Sequence, residues 1–171
     1  MGGLLWAALG GITPVSATDA FDLSVGLKTL PLLSQRIVGP VNMAIVFDPG
    51  SPESRADADA IKAAADGGAE VPGGERLVPM LVAADDLSRL KGARLLFLTQ
   101  GARAGAFDAV ALVAAANGIL SMSADLACVR ANKCVLGIVS RPTVEIYFSR
   151  PAAVASHIGF TPAFTMLAKP N

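Results

Sequence analysis

The chain has 171 residues, of which 53% are apolar and only 16% charged, with 14 basic side chains against 14 acidic ones. That balance offers no basic stripe for nucleic acid and no polybasic patch for an anionic membrane surface. The one tryptophan, Trp6, sits in a segment expected to be removed, which argues against aromatic stacking platforms for single-stranded nucleic acid.

That segment runs from Met1 to Ala17. Leu4 to Leu9 and Ile12 form a short apolar core, Pro14 breaks it, and Val15-Ser16-Ala17 presents the small residues a signal peptidase needs. The core falls short of the roughly 20 apolar residues that span a bilayer. No Lys or Arg precedes it, which departs from the usual signal and leaves a buried N-terminal segment as the other reading. Residues 18–171 are enough for one domain with its own core. Within them the most apolar helical stretch, Ala104 to Leu120, carries Asp108 and Asn117 and is amphipathic, so no membrane insertion of the mature chain is expected.

The elements alternate. Phe21 to Pro40 reads either as a strand or as a broken helix. Met43-Ala-Ile-Val-Phe47 is a continuous apolar run ended by Asp48-Pro49-Gly50, the pattern of a central, buried parallel strand. Ser54 and Asp57 are spaced as a capping box for a helix running to about Asp66, with Ala58, Ile61 and Ala65 on one face and Gly67-Gly68 as the stop. Leu77 to Ala83 is a second strand, and Pro79 assigns it to an edge or a bulge. A helical turn over Asp85 to Leu90 and a third strand over Ala93 to Leu98 follow. The best-formed helix covers Ala104 to Ala116, where Phe107, Val110, Ala111 and Ala114 recur at helical spacing and Asn117-Gly118 closes the end. Ile119 to Ser123 is the fourth strand.

The rhythm then changes. Val135 to Val139 and Thr143 to Phe148 are β-rich runs joined by Ser140-Arg141-Pro142, and the alternation in the second predicts an antiparallel pair. Ser149 caps a helix expected to end near Gly159, and Thr161-Pro162 starts a last one over Ala163 to Ala168. The expected fold is α/β: a single domain with a mixed, mostly parallel sheet flanked by helices, ending in the antiparallel strand pair.

Little in the chain carries catalytic chemistry. His157 is the single histidine, near a helix end where a dipole partner or surface residue is the ordinary role. Cys128 and Cys134, the only cysteines, are too far apart for a C-x-x-C redox pair and lack the histidines of a zinc site. In an exported chain that spacing favours a structural disulfide closing a small loop, worth about 2–2.5 kcal/mol by loop entropy. Gly101-Ala-Arg-Ala-Gly105 lacks the pattern of a dinucleotide or phosphate loop and reads as a strand-to-helix turn. Asp48 and Asp85-Asp86 end strands like a phospho-receiver's acidic cluster, but Thr99-Gln100 stands where the phosphorylated Asp would be. No catalytic residue, metal or cofactor is expected.

From Ile119 onward the text becomes specific. Leu120-Ser-Met-Ser-Ala-Asp125, the Cys128 and Cys134 pair flanking a turn, Val135-Leu-Gly-Ile-Val139, Val144-Glu-Ile-Tyr-Phe148, Pro151-Ala-Ala-Val-Ala155 and Phe160-Thr-Pro-Ala-Phe-Thr-Met-Leu167 follow one another. This order resembles the YfiR-like family of exported bacterial regulators. The resemblance implies a non-enzymatic periplasmic protein that binds the periplasmic domain of a membrane-bound sensor, a diguanylate cyclase or a sensor kinase, and controls it. It also implies a disulfide at Cys128 and Cys134. The chain lacks the second cysteine pair of some relatives and the aromatic-rich helix that many carry near Leu23 to Ile37. The high apolar fraction predicts a partner patch, and Phe160, Phe164 and Met166, close to the chain end, are the expected partner-binding residues. A homodimer is the other assembly left open. A small solute-binding component of a transport system is the alternative function.

Overall fold

Seven residues, Val41–Phe47, form β1, the strand on which the rest is assembled. Its side chains from Met43 to Val46 are fully buried on both faces, as a strand inside a parallel sheet requires. The computed structural model describes residues 18–171; the leader expected over residues 1–17, with Trp6, lies outside the described residues. The described chain continues with helix α1 (Ala20–Leu27), a 3-10 turn over Leu30–Leu32, β1, α2 (Pro52–Asp66), β2 (Leu77–Ala83), a 3-10 turn over Leu87–Leu90, β3 (Leu95–Leu98), α3 (Ala104–Asn117) and β4 (Leu120–Ser123). It ends with α4 (Leu126–Arg130), β5 (Leu136–Val139), β6 (Glu145–Phe148), α5 (Arg150–Ala155), α6 (Pro162–Leu167) and the two-residue β7 (Lys169–Pro170).

The sheet order is β2-β1-β3-β4-β5-β6-β7. Strands β1 to β5 pair in parallel, with Met43 opposite both Pro79 and Leu95, and β6 turns back antiparallel on β5 with Leu136 opposite Phe148. The expected mixed sheet with a C-terminal antiparallel pair is therefore present. Pro79 sits in β2 at the sheet edge, where a missing N–H costs least.

Side-chain alternation divides the interior in two. Met43, Ile45 and Phe47 of β1 point to one face, with Leu95 and Phe97 of β3, and are covered by Leu23 and Leu27 of α1 and by Ala58, Ile61 and Ala65 of α2. Ala44 and Val46, with Leu96 and Leu98, point to the other face against Phe107, Val110 and Ala114 of α3. Cys128 and Cys134 are joined and belong to this second core, with their Cα atoms 5.3 Å apart.

Several local readings change. Of the two readings of Phe21 to Pro40 the broken helix is the one found: α1, capped reciprocally by Asp19 and Asp22, ends at Leu27 and a 3-10 turn follows over Leu30–Leu32. Ser51, not Ser54, caps α2, its side chain accepting the N–H of Ser54. The C-terminal stop of α5 comes at Ala155 rather than near Gly159. Cys128 lies on a short helix, α4, capped by Asp125, and the turn expected between the two cysteines follows it at Ala131 and Asn132. Gly137 lets α4 sit directly on β5: a Cβ there would stand 2.6 Å from Cγ1 of Val129 and 2.8 Å from Cδ2 of Leu126.

Candidate functional site

Parallel sheets of this kind receive ligands outside the carboxyl ends of the strands, where the strand order reverses. Here the reversal lies between β1 and β3: the chain leaves β1 toward α2 on one face and β3 toward α3 on the other. The crevice is bounded by the loop after β1 (Asp48 to Ser51), the loop after β3 (Thr99 to Arg103) and the start of α2.

Asp48 ends β1 and is buried. Arg103, the residue before α3, grips it with both arms of its guanidinium, Nε to Oδ2 at 2.6 Å and Nη2 to Oδ1 at 2.7 Å. The backbone N–H of Gly50 donates to Oδ1 and that of Arg103 to Oδ2. The bond from the Arg103 side chain holds the Asp48 carboxyl far below the usual carboxylate range despite burial. A Cβ on Gly50 would lie 2.5 Å from Nη2 of Arg103 and would push that guanidinium off the carboxylate. The Arg103 side chain is 73% exposed, so one face of the pair looks into solvent.

Beneath this pair lies a chain of hydroxyls. Ser54, one turn into α2, accepts the Asp48 N–H at 2.8 Å and bonds the Thr99 hydroxyl at 2.6 Å, and Thr99 donates to the carbonyl of Val46 at 3.1 Å. Ser54 and Thr99 are both fully buried, so neither hydroxyl is a free nucleophile. Further along α2, Asp57 accepts the backbone N–H of Thr18 at 2.5 Å, the Thr18 hydroxyl at 2.9 Å and the N–H of Gln100 at 2.8 Å. Burial pushes the Asp57 carboxyl up, against those three bonds, and the charge of Asp22 adds to the rise. The Ser54 and Asp57 spacing therefore serves the crevice and not a helix cap.

What remains open is a shallow cavity of about 450 Å³ lined by Asp48, Pro49, Ala84, Asp85, Arg103 and Ala106. Its fixed charges are carboxylates and one guanidinium already paired. Neither a general base beside a hydroxyl nor a nucleophile with an orienting partner is found here. His157 is exposed beyond α5, with φ +54°, and has a cavity of about 410 Å³ beside it lined also by Arg36 and Arg94, at the opposite ends of the strands. Among the described residues no group of three or more His, Cys, Asp or Glu side chains is placed to hold a metal. No helix among them is long and apolar enough to cross a membrane.

The three residues expected to bind a partner are separated. Phe164 of α6 is fully buried. Its ring stacks on Phe160 at 3.9 Å and meets the edge of Phe148 of β6 at 5.4 Å. Phe160 is half-buried in the same trio and makes an antiparallel bridge to Leu33. These rings close the sheet rather than face solvent, because α6 is a single short helix with one side on the core and Phe164 occupies that side. Met166 is 86% exposed and its neighbour Leu167 69% exposed. Sequence reading placed Asp48 at a strand end, Asp57 in a helix cap and Arg103 in a strand-to-helix turn, and had no signal that the fold brings Asp48 and Arg103 together.

No family model matches the chain, and no curated protein matches it. Solved structures do. A conserved domain protein from Vibrio cholerae aligns over 91% of this chain and 61% of its own, with 13% identity and a TM-score of 0.61. An ABC domain in complex with L-Trp from Streptococcus pneumoniae aligns over 91% of this chain and 63% of its own, with 11% identity and a TM-score of 0.60. The ligand-free, open structure of a substrate-binding protein with adhesive properties from Clostridium difficile aligns over 85% of this chain and 58% of its own, with 15% identity and a TM-score of 0.61. The chain thus spans about three fifths of the length of each structure it matches. At these identities the likeness is one of fold: the α/β sheet described above is shared with binding proteins.

Proposed function

We propose that the chain is an exported regulatory binding protein that acts without catalysis on the periplasmic part of a membrane-bound signalling protein, a diguanylate cyclase or a sensor kinase. One observation carries the reading. The crevice is latched by Asp48 and Arg103 and its hydroxyls are spent on each other, while Met166 and Leu167 stand exposed beside a packed aromatic trio. Exposed apolar side chains on a well-packed support are the usual composition of a protein contact. The paired cysteines suit an oxidising compartment, and the C-terminal run resembling YfiR-like regulators suits this class of partner. The test is capture from detergent-solubilised membranes, with the retained protein identified by mass spectrometry. A cyclase or kinase with a periplasmic segment, held by wild type and lost from a folded Met166→Asp variant, supports the reading.

A second reading, carriage of a small solute to a transporter, is favoured by the likeness to a domain solved with L-Trp and to a substrate-binding protein. Its site would be the 450 Å³ cavity, with Arg103 near a carboxylate and Asp85 near an ammonium. Calorimetric titration with amino acids, L-Trp first, separates the two: saturable binding abolished by Arg103→Ala favours the carrier.

A further inference from the structure

Asp57 and Asp48 are both buried carboxylates of the crevice, but they are not treated alike. Asp48 has Arg103. Asp57, 2% exposed, has no ion-pair partner among the described residues; the charged group whose field reaches it is Asp22 of α1, which has the same sign. Gln100, from the loop after β3, is neutral, and Arg103 is engaged by Asp48. Residues 1–17 contain no Lys, Arg or His that could supply a side-chain cation. A buried carboxylate without a countercharge is costly.

What Asp57 does hold is the backbone nitrogen of Thr18, at 2.5 Å, with the Thr18 hydroxyl on its other oxygen and Gln100 Nε2 on that hydroxyl at 3.3 Å. Thr18 directly follows Val15-Ser16-Ala17, the small-residue pattern of a signal peptidase site. In the intact chain this nitrogen is a neutral amide.

We propose that Asp57 is the receptor for the α-ammonium group of Thr18, created when a signal peptidase hydrolyses the Ala17–Thr18 bond during export. Water adds to the Ala17 carbonyl carbon and the C–N bond breaks. The hydroxyl stays with Ala17 as a carboxyl group. The Thr18 nitrogen leaves as an amine, and at neutral pH it takes up a proton, since an α-amine ordinarily titrates at about 7.7–8.0. The nitrogen already within hydrogen-bond distance of Asp57 thereby acquires the missing charge. Maturation converts an amide-to-carboxylate hydrogen bond into a buried ion pair that ties the new N-terminus to α2 and to the loop after β3, beside the crevice. An opposite charge at this distance favours the charged form of both groups. This inference rests on the export half of the proposed function and is independent of the partner.

The test uses the full chain produced with its leader in a Gram-negative host and purified from the periplasmic extract. Intact mass gives the first residue, and acetic anhydride labelling across pH, read by peptide mass, gives the titration of the α-amine. The expected first residue is Thr18. Its amine should titrate about one pH unit or more above the ordinary range and label about tenfold more slowly at pH 7 in folded than in urea-unfolded protein. Asp57→Asn should abolish both effects; if that variant does not fold, the folded-against-unfolded comparison in wild type decides alone. A periplasmic protein starting at Thr18 whose amine titrates normally and labels at the unfolded rate overturns the inference and leaves export standing. A periplasmic protein that retains residues 1–17, or starts elsewhere, overturns the inference together with the expected cleavage site.

Discussion

Arg103 grips Asp48 with two parallel N–H···O bonds of 2.6 and 2.7 Å, and so joins the loop that leaves β1 to the loop that leaves β3. The two residues lie on opposite sides of the strand-order reversal, and the pair closes the place where such a sheet would be entered by a ligand.

The pair has a pH signature. The folded Asp48 carboxyl is held far below its unfolded value, mainly by Arg103. Its contribution to stability is therefore complete above the unfolded carboxylate value of about 3.9 and is lost as pH falls below it. Urea midpoints measured from pH 5 down to pH 2 should fall less steeply in Arg103→Ala than in wild type, and the variant should be the less stable protein at pH 5. Arg103→Lys should not restore wild-type behaviour, because an ammonium cannot make the two parallel bonds.

Phe164 and Met166 should behave oppositely although they are two residues apart. Phe164→Ala removes the fully buried ring of the trio and should lower stability by about 3–5 kcal/mol in chemical denaturation. Met166→Asp, on an exposed side chain, should change stability by no more than about 0.5 kcal/mol.

The contrast shows where sequence reading reaches its limit. The strands and long helices were legible because their periods are strong: the apolar run of β1, the helical spacing of Phe107, Val110 and Ala114, and Pro79 marking an edge all correspond to what is observed. Helix α6 was legible too, but not its rotation about its own axis. A helix of six residues has too few apolar positions to define a face, so Phe164 and Met166 look equivalent until packing assigns one inward. The crevice was illegible for a different reason. Asp48, Arg103, Asp57 and Thr18 are brought together by topology across 39 to 55 positions, and no local spacing encodes such a meeting.

The Cys128–Cys134 pair closes a loop between α4 and β5 within the second core. Replacing both residues by Ala should lower stability by about 2 kcal/mol through loop entropy. Thiol labelling of unfolded, unreduced protein from the periplasm should find no free thiol; two labelled cysteines would show that the pair is open.

Gly137 should tolerate no side chain. The Cβ of Gly137→Ala would collide with Val129 and Leu126, forcing α4 away from β5 at a cost of about 1–3 kcal/mol. The same substitution at Gly68, where a Cβ meets nothing within 4 Å but φ is +98°, should destabilise through backbone conformation alone. Thermal unfolding of the two variants, with the Cys128–Cys134 bond verified intact, measures both effects.

Docking on a membrane-bound signalling protein through the exposed end of α6 is tested most directly by photo-crosslinking in living cells. A photoreactive residue is placed at Met166 in one strain and at Leu112, another apolar, exposed position, on α3, in another. Crosslinking from position 166 to a membrane protein with a periplasmic segment and a cytoplasmic cyclase or kinase domain, with none from position 112, is the predicted result. Equal crosslinking from both positions, or none from position 166 in cells where the protein is exported and folded, would contradict the account.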